Sequence, residues 1–259
     1  MRAIQSENNQ LTWSTAPDVV CGVGEVQIQV HASAVNRADL LQATGGYPPP
    51  PGASPILGLE CAGVVIAVGE GVQRVSVGDR VCALLAGGGY AEQVVVPAGQ
   101  VLPIPAGLSF NEAAALPEVF ATAYLNLYME AGLQPQEKVI LHAGASGVGT
   151  AAIQLLKCSR NPSFVTVGSA EKIEQCMKLG AAGGFDRHQG AFLQAGQEWA
   201  GDSGIDVILD PVGAQYLSVN LTVLGLGGRL VLIGLRGGFQ ADTVRAVMLW
   251  LGLRISGSP

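Results

Sequence analysis

The sequence predicts an α/β chain in which a β-rich first domain precedes a doubly wound parallel sheet. In the first third, short apolar segments alternate with glycine, aspartate and proline turns, which is typical of antiparallel strands. From Glu137 onward, continuous apolar segments alternate with helix-forming ones, which is typical of parallel strands buried on both faces. The first of those strands runs into a glycine-rich turn that opens a helix.

Composition and charge exclude several classes of function. The 259 residues carry a formal net charge of −6, and the pI of about 5.0 argues against a nucleic-acid partner. Five scattered cysteines form no C-x-x-C pair, which indicates reduced thiols rather than disulfides or a zinc cluster. The polar start MRAIQSENNQ lacks a signal-peptide core, and no apolar run is long enough to cross a membrane. We therefore predict a cytoplasmic protein without a membrane partner.

In the first domain, the segment EVQIQV at 25–30 alternates apolar and polar residues like a half-buried strand. Further strands are predicted at AGVVIAVG, DRVCALL and AEQVVVP, at the short spacing of a barrel-like β domain. The run GGYPPPPGASP at 45–55 contains prolines without N–H donors, so it is predicted to be a stiff loop.

A helical stretch is predicted over residues 111–131. Ser109 followed by Glu112 is a capping-box pattern at its start, Pro117 is expected to break or kink it, and Gly132 is expected to end it. The later elements, in chain order, are a strand at VIL, the glycine turn and its helix, a strand at SFVTVG, a helix at EKIEQCMKLG, a strand at IDVILD, a helix at AQYLSVNLTVLG, a strand at GRLVLIGL, a helix at TVRAVMLWLG and a last strand in LRISGSP.

The segment VILHAGASGVGTAAIQLLK, residues 139–157, carries the strongest functional motif. Gly144, Gly147 and Gly149 let the backbone approach a phosphate, and the first-turn amides of the helix can bind it. The motif therefore predicts a dinucleotide whose pyrophosphate rests on this turn. A tight junction that binds nothing is the alternative. Ser146 within the turn has two interpretations, a hydroxyl donor to a phosphate or a cap of the helix.

The choice of cofactor depends on the end of the next strand. A NAD-binding unit places an acid there, about twenty residues after the turn, to bind the ribose 2′-hydroxyl. This strand ends Val167-Gly168-Ser169 without an acid, and Lys172 follows. A hydroxyl and a cation suit the 2′-phosphate of NADP, although Glu171 lies between them. We predict NADPH as the cofactor, with a solvated lysine at an exposed helix start as the alternative.

The histidines do not support a catalytic zinc, which needs clustered cysteine and histidine ligands. His31 follows a predicted strand, His142 ends the strand before the glycine turn, and His188 lies in a polar segment. None has a cysteine at metal-ligand spacing. We therefore predict no metal.

Seven segments in order carry a resemblance to one family: ASAVNRADLLQATGGYPPPPGASPILGLECAGVV, GDRV, GGGYAEQVVVP, LPEVFATAY, VILHAGASGVGTAAIQL, GIDVILDPVG and GGRLVLIGLRGG. They resemble the zinc-free quinone oxidoreductases related to zeta-crystallin, a group of the medium-chain dehydrogenases/reductases, and within it the tumour-suppressor-inducible subgroup. The resemblance implies a GroES-like catalytic domain at residues 1–125 and a Rossmann NADP-binding domain at 126–259.

The resemblance also implies roles for individual residues. Asn36 and Tyr47 would lie beside the nicotinamide, and Thr122 would contact its ring or amide. Zinc-bearing relatives have a cysteine where Asn36 is and a histidine where Leu59 is. From the residues alone, Asn36 caps a turn, Tyr47 covers the proline loop and Thr122 is an ordinary helix residue.

The implied cofactor-binding residues are Gly144, Ser146, Gly147, Val148 and Gly149 at the pyrophosphate, and Ser169, Lys172 and Arg187 at the 2′-phosphate. Ser146 stands where the family loop has its middle glycine. Arg187 replaces a tyrosine often found near the adenosine phosphate and would act as a second cation.

The implied reaction is hydride transfer from NADPH to a quinone or a similarly activated carbonyl acceptor, in a protein expected to be a homodimer. A quinone accepts hydride readily and takes protons from solvent or Tyr47, so it needs little acid–base apparatus. One alternative is an enoyl or alkenal reductase on the same scaffold. Another is a non-catalytic NADPH-binding or crystallin-like protein.

Family members continue past the position of Pro259, so the resemblance implies either a C-terminally shortened isoform or an incomplete sequence. A missing return segment would leave apolar surface and a sheet edge uncovered. We therefore expect a chain extended by a family-like segment to be more stable and more active.

Overall fold

A computed structural model describes residues 1–7, 10–235 and 255–257 of the chain. The chain divides into two compact units, Met1–Glu118 and Val119–Pro259. Each unit has its own hydrophobic core.

The first unit is built mainly from antiparallel strands. In the described part of the chain these are β1 (Arg2–Glu7), β2 (Gln10–Thr15), β3 (Glu25–Ala32), β4 (Glu60–Val68), β5 (Arg80–Leu84), β6 (Gln93–Pro97) and β7 (Val101–Pro103). β1 pairs with β2, and the others form a sheet in the order β6-β3-β4-β5-β7. The strands predicted in this domain are β3 to β6, and Val26 and Ile28 are fully buried as the alternation predicts. The sequence analysis predicts neither β1 nor β2, and the residues of β2 are mostly exposed.

The predicted helical stretch at 111–131 consists of three consecutive segments. They are α2 (Phe110–Ala114), α3 (Pro117–Tyr124) and a π-helical segment (Leu125–Glu130); α1 (Arg37–Ala43) precedes them in the chain. Ser109 Oγ accepts a hydrogen bond from Glu112 N at 3.3 Å, and the Glu112 carboxylate accepts one from Ser109 N at 2.8 Å, which confirms the capping box. Pro117 is the first residue of α3, where its missing N–H costs no helical bond, so the predicted break is confirmed.

The predicted proline loop at residues 45–55 and the predicted helix end at Gly132 are both confirmed. Residues 45–55 form neither helix nor strand, as the proline run requires. Gly132 follows the π-helical segment with φ of +61°, a left-handed conformation that glycine adopts without a Cβ clash.

The second unit alternates strands and helices around one parallel sheet. Its described elements are β8 (Val139–His142), α4 (Gly147–Ser159), β9 (Ser163–Val167), α5 (Ala170–Leu179), β10 (Gly183–Asp186), α6 (Leu193–Ala200), β11 (Ile205–Asp210), α7 (Leu217–Val223), β12 (Leu224–Leu232) and β13 (Ile255–Gly257). The strand order is β10-β9-β8-β11-β12-β13, with every pairing parallel. This is the 3-2-1-4-5-6 order of the Rossmann fold, which confirms the doubly wound prediction.

Helices cover both faces of this sheet, as the continuous apolar strands predict. Val139 and Leu141 belong to a core that also contains Ile153 of α4, whereas Ile140 between them belongs to the core with Phe192 and Val223 beside α6 and α7. Adjacent residues of β8 therefore pack into the cores on opposite faces of the sheet. Because both faces are buried, the strand has no polar face.

Two elements of the second unit escape the sequence analysis, β10 and α6. β10 is Gly183-Gly184-Phe185-Asp186, too short and too rich in glycine to show a strand pattern.

The predicted last strand corresponds to β13, while the predicted helix TVRAVMLWLG lies outside the described residues. Within residues 1–7, 10–235 and 255–257, no helix has the length and hydropathy needed to cross a bilayer.

Candidate functional site

The glycine turn follows β8 and leads directly into α4. Ser146 is the N-cap of α4, and its Oγ accepts a hydrogen bond from Gly149 N at 3.1 Å. The capping interpretation of Ser146 therefore holds, and its hydroxyl proton stays available to donate to a phosphate. Ala143 has φ of +52°, a left-handed conformation that costs a non-glycine residue free energy.

The glycines of this turn are required by close packing. A Cβ on Gly144 would lie 2.5 Å from Val165 Cβ, and a Cβ on Gly149 would lie 2.5 Å from Gly144 O. Gly147 and Val148 occupy the first turn of α4, where amides have no intrahelical acceptor. The turn thus presents helix-end N–H groups at the start of α4, and this donor set fits a pyrophosphate.

The end of β9 carries the residues predicted to bind a 2′-phosphate. Ser169 is the N-cap of α5, and its Oγ accepts a hydrogen bond from Lys172 N at 3.3 Å. A Cβ on Gly168 would lie 2.8 Å from Arg187 Nη1, so the guanidinium lies against the Gly168 backbone. Arg187 follows β10 directly, and its side chain is exposed, as is that of Lys172. The structure therefore brings Ser169, the Arg187 guanidinium and the first turn of α5, which carries Lys172, to one end of β9. A hydroxyl and cationic residues suit a phosphate.

A buried chain of hydrogen bonds lies at the carboxyl ends of three strands. His142 of β8 contacts Thr166 Oγ1 of β9 through Nδ1 at 2.9 Å and Asn220 Oδ1 of α7 through Nε2 at 2.7 Å. Asn220 Nδ2 donates to Asp210 Oδ2 of β11 at 2.9 Å. Because a carboxylate only accepts, this contact orients the Asn220 amide, so Nε2 must donate to Asn220. The sequence analysis weighed His142 only as a metal ligand and missed its partners.

Burial determines the charge state of His142 in this row of hydrogen bonds. Burial lowers the pKa of His142, against the opposing effects of the Asp210 charge and the Asn220 hydrogen bond. The imidazole is therefore neutral, with Nδ1 accepting from the Thr166 hydroxyl. Asp210 Oδ1 accepts from the N–H groups of Val212 at 2.6 Å and Gly213 at 3.1 Å.

In the first unit, Asn36 is the N-cap of α1 and contacts two buried carboxylates. Its backbone N–H donates to Asp39 Oδ2 at 2.7 Å, and its Nδ2 donates to Glu60 Oε1 at 2.6 Å. Asp39 is 2% exposed and Glu60 is 1% exposed. Asp39 also accepts from Gly58 N at 3.2 Å and from the Tyr90 hydroxyl at 2.8 Å. Asn36 is thus held at its backbone and at its side chain.

These carboxylates shift the acid–base properties of the network. Burial raises the pKa of Glu60, hydrogen bonds from Glu118 N–H and Asn36 oppose the rise, and the Asp39 charge adds to it. Burial also raises the pKa of Tyr90, as does its hydrogen bond to Asp39. The sequence analysis did not identify Asp39 or Glu60 as buried acids. The available signal is Glu60 inside the run GLECAG, since an acid among buried apolar residues requires partners.

The other predicted catalytic residues are Tyr47 and Thr122. Tyr47, in the loop after α1, is 38% exposed, and no hydrogen bond joins it to Asn36 among the described residues. Thr122 lies in α3, and its backbone carbonyl accepts a hydrogen bond from Asn126 Nδ2 at 2.8 Å. Their roles stay predictions.

His31 and His188 lie outside the hydrogen bonds that join His142 to Thr166 and Asn220. His31 stacks on Phe110, with 4.5 Å between ring centroids, and the backbone N–H of His188 donates to the Asp186 carboxylate. Across residues 1–7, 10–235 and 255–257, no three His, Cys, Asp or Glu side chains are grouped to hold a metal ion.

Two family models match the chain. Residues 22–106 match the alcohol dehydrogenase GroES-like domain, and residues 147–258 match the zinc-binding dehydrogenase model. These matches confirm the predicted order of a GroES-like β domain followed by a Rossmann domain.

Similar proteins come from sequence and from structure comparison. The human synaptic vesicle membrane protein VAT-1 homologue is 36% identical over 214 residues, which cover 83% of this chain and 54% of the relative. The chain therefore spans about half the length of this relative. The CurK enoyl reductase is 30% identical with a TM-score of 0.88, covering all of this chain and 80% of that chain.

A third match is the Escherichia coli quinone oxidoreductase complexed with NADPH. It is 27% identical with a TM-score of 0.86, again over all of this chain and 80% of that chain. The two matched models, the shared strand order and the identity to the enoyl reductase lead to one conclusion: the chain belongs to the medium-chain dehydrogenase/reductase family of oxidoreductases and is similar to its quinone oxidoreductases.

Proposed function

We propose that this chain binds NADPH and transfers its hydride to a quinone or a similarly activated carbonyl acceptor. The observation that carries the proposal is the pair of anion-binding features in the second unit, the glycine turn after β8 and the acid-free end of β9. Both lie at the carboxyl ends of neighbouring parallel strands, where dinucleotides bind in such sheets. Similarity to a quinone oxidoreductase complexed with NADPH supports the same cofactor.

In this proposal, NADPH supplies the hydride, and the second unit binds the phosphates of the cofactor. The glycine turn, including Ser146 and Val148, holds the pyrophosphate with first-turn amides and one hydroxyl. Ser169, Lys172 and Arg187 hold the 2′-phosphate. The end of β9 offers no acid that would repel this phosphate.

The first unit supplies residues for the nicotinamide side. Asn36 offers a side-chain amide bound by the buried Glu60 carboxylate, and its backbone N–H is bound by Asp39. Thr122 of α3, in the second unit, contacts the ring or its amide. Tyr47, with an exposed side chain, donates a proton to a reduced oxygen in competition with solvent. Asn36 and Leu59 stand where zinc-bearing relatives have ligands, so the proposed reaction is independent of zinc.

An enoyl or alkenal reductase is the second candidate, supported by the similarity to the CurK enoyl reductase. Its chemistry differs in one respect that can be tested. Reduction of an activated alkene requires a proton on carbon, which solvent delivers slowly, whereas the oxygens of a reduced quinone exchange protons with water readily. A donor side chain therefore matters more for the alkene.

The decisive experiment measures NADPH oxidation by stopped flow across a panel of quinones and enones, with the parent chain, Tyr47→Phe and the control Tyr124→Phe. Tyr124 is an exposed tyrosine that the proposed reaction does not use. We expect quinones to be reduced fastest and Tyr47→Phe to slow enones more than quinones. Faster turnover of enones than of every quinone would support the second candidate. NADPH binding without turnover of any acceptor would support a non-catalytic or crystallin-like protein. A homodimer in the cytoplasm is part of the proposal.

A further inference from the structure

Glu60 places a carboxylate where two donors converge inside the first unit. Its Oε1 accepts from Asn36 Nδ2 at 2.6 Å, and its Oε2 accepts from the backbone N–H of Glu118 at 2.9 Å. Its own carbonyl oxygen accepts from Ser33 Oγ at 2.6 Å. One buried residue at the start of β4 thus contacts the N-cap of α1 and the first turn of α3.

The observed orientation of Asn36 requires an acid at this position. A carboxylate accepts from both N–H donors at once, whereas a glutamine that keeps the Glu118 N–H would turn its NH₂ toward Asn36 and pair only with the Oδ1 of a turned-over amide. Among the described residues, no lysine or arginine forms a salt bridge with Glu60. Two charge-assisted hydrogen bonds, one from a helix N-terminus, therefore offset part of the cost of burying this group.

We propose that Glu60 is a positioning residue, which orients the Asn36 amide for the nicotinamide and anchors the first turn of α3. The inference rests on the proposed function for the role of Asn36, and it goes beyond it in assigning Glu60. The contact of Asn36 Nδ2 with a group that only accepts determines which end of the amide is nitrogen. Asn36 therefore has one orientation, with Oδ1 on the side away from Glu60 Oε1.

The kinetic test uses Glu60→Gln, with Glu70→Gln as the matched control, because Glu70 is an exposed acid in the turn after β4. In Glu60→Gln, the new Oε1 can keep the Glu118 N–H while the new NH₂ faces Asn36, so the Asn36 amide turns over to present its Oδ1 and exchanges the end offered to the nicotinamide. A misplaced positioning group can cost about 100-fold in rate. We expect kcat to fall about 10- to 100-fold while KM for NADPH stays unchanged. A folded Glu60→Gln protein with the parent kcat would overturn the proposal.

A second readout does not depend on turnover. In ¹H–¹⁵N spectra without cofactor or acceptor, the side-chain amide of Asn36, identified by its loss in Asn36→Ser, should give one proton shifted downfield by the short bond to Glu60. Glu60→Gln should remove this shift, and Glu70→Gln should keep it. An Asn36 signal that is the same in Glu60→Gln and the parent contradicts the proposal. If the shift is lost as expected but the parent reduces no acceptor, the proposed function fails while the orientation of Asn36 by Glu60 stands.

A double variant covers the case in which Glu60→Gln folds poorly. Asn36→Asp combined with Glu60→Gln exchanges donor and acceptor and keeps the total charge, so Asp at 36 accepts from Gln at 60, whose oxygen still accepts from Glu118 N–H. Asn36→Asp alone places two carboxylates in contact and should lower the melting temperature, and we expect the added Glu60→Gln to regain much of that loss. A double variant no more stable than Asn36→Asp would show that the contact between residues 36 and 60 does not hold these segments.

Discussion

The guanidinium of Arg187 lies against the backbone of Gly168, with the site of a Cβ on Gly168 only 2.8 Å from Nη1 and 3.0 Å from Cζ of the arginine. Gly168 follows β9 and Arg187 follows β10, and these strands are parallel neighbours. A cation from the third strand of the Rossmann unit is therefore brought to the end of the second. Only a residue without a side chain at 168 permits this approach.

Gly168→Ala is expected to weaken NADPH binding about tenfold, because the methyl group displaces Arg187 and one charge-assisted hydrogen bond contributes about 1.5–3 kcal/mol. NADH, which lacks the 2′-phosphate, should bind as before. Titration of both cofactors checks this. Gly99→Ala is the control, since a Cβ there meets nothing within 4 Å. Equal NADPH affinity in Gly168→Ala and the parent would place Arg187 outside the site.

Lys172→Ala should weaken NADPH while leaving NADH nearly unchanged. The hydrogen bond of a cation to phosphate predicts a preference on the order of 10- to 150-fold. Lys172 is exposed and Glu171 is adjacent, so screening by solvent favours the lower end of this range. Lys178→Ala, in the last turn of the same helix, is the control. Equal weakening of both cofactors, or tighter binding of NADH by the parent, would contradict the assignment.

The free energy of unfolding is expected to fall as the pH drops through 6.5. Burial lowers the pKa of His142 below its ordinary 6.5, so in this range the unfolded chain binds a proton that the folded chain does not. The slope contributed by one such group is at most about 1.4 kcal/mol per pH unit. Urea unfolding between about pH 5.5 and pH 7.5 measures it.

His142→Gln should flatten that dependence, because it removes the titrating group and keeps a donor and an acceptor. His188→Gln changes an exposed histidine outside the buried chain and should keep the parent slope. If the His142→Gln slope matched the parent slope, the buried imidazole would not be its source.

Activity is expected without zinc. The resemblance implies that Asn36 stands where zinc-bearing relatives have a cysteine, and the Asn36 amide is bound to Glu60. Leu59 offers no ligand at the other position. Metal analysis of the purified protein should find no stoichiometric zinc, and chelators should leave turnover unchanged. Stoichiometric zinc together with loss of turnover on chelation would refute this prediction.

The sequence predicts those features whose cause is local. The capping box of Ser109 and Glu112 involves residues three apart, and Pro117 breaks a helix by its own ring. The Ser146 cap and the close packing of Gly149 against Gly144 O are equally local, so their geometry could be anticipated. Partners that meet through the tertiary fold could not be.

The contacts that escaped prediction are long-range. Asn36 and Glu60 are 24 residues apart, Asp39 and Tyr90 are 51 apart, and His142 is 78 residues from Asn220. β10 is also determined by tertiary structure. Its glycines leave space for the neighbouring strand, since a Cβ on Gly183 would lie 3.1 Å from Phe164 Cδ2. No pattern within four residues encodes that constraint.

The hydrogen-bond chain through His142 has a consequence for how the second sheet opens. Its side chains come from β9, β8, β11 and α7, so they cross-link three strands at the ends that lead into the loops. Fraying of one strand end would leave a buried donor or acceptor on the next one unsatisfied. We therefore expect these ends to detach together, as one cooperative unit, rather than strand by strand.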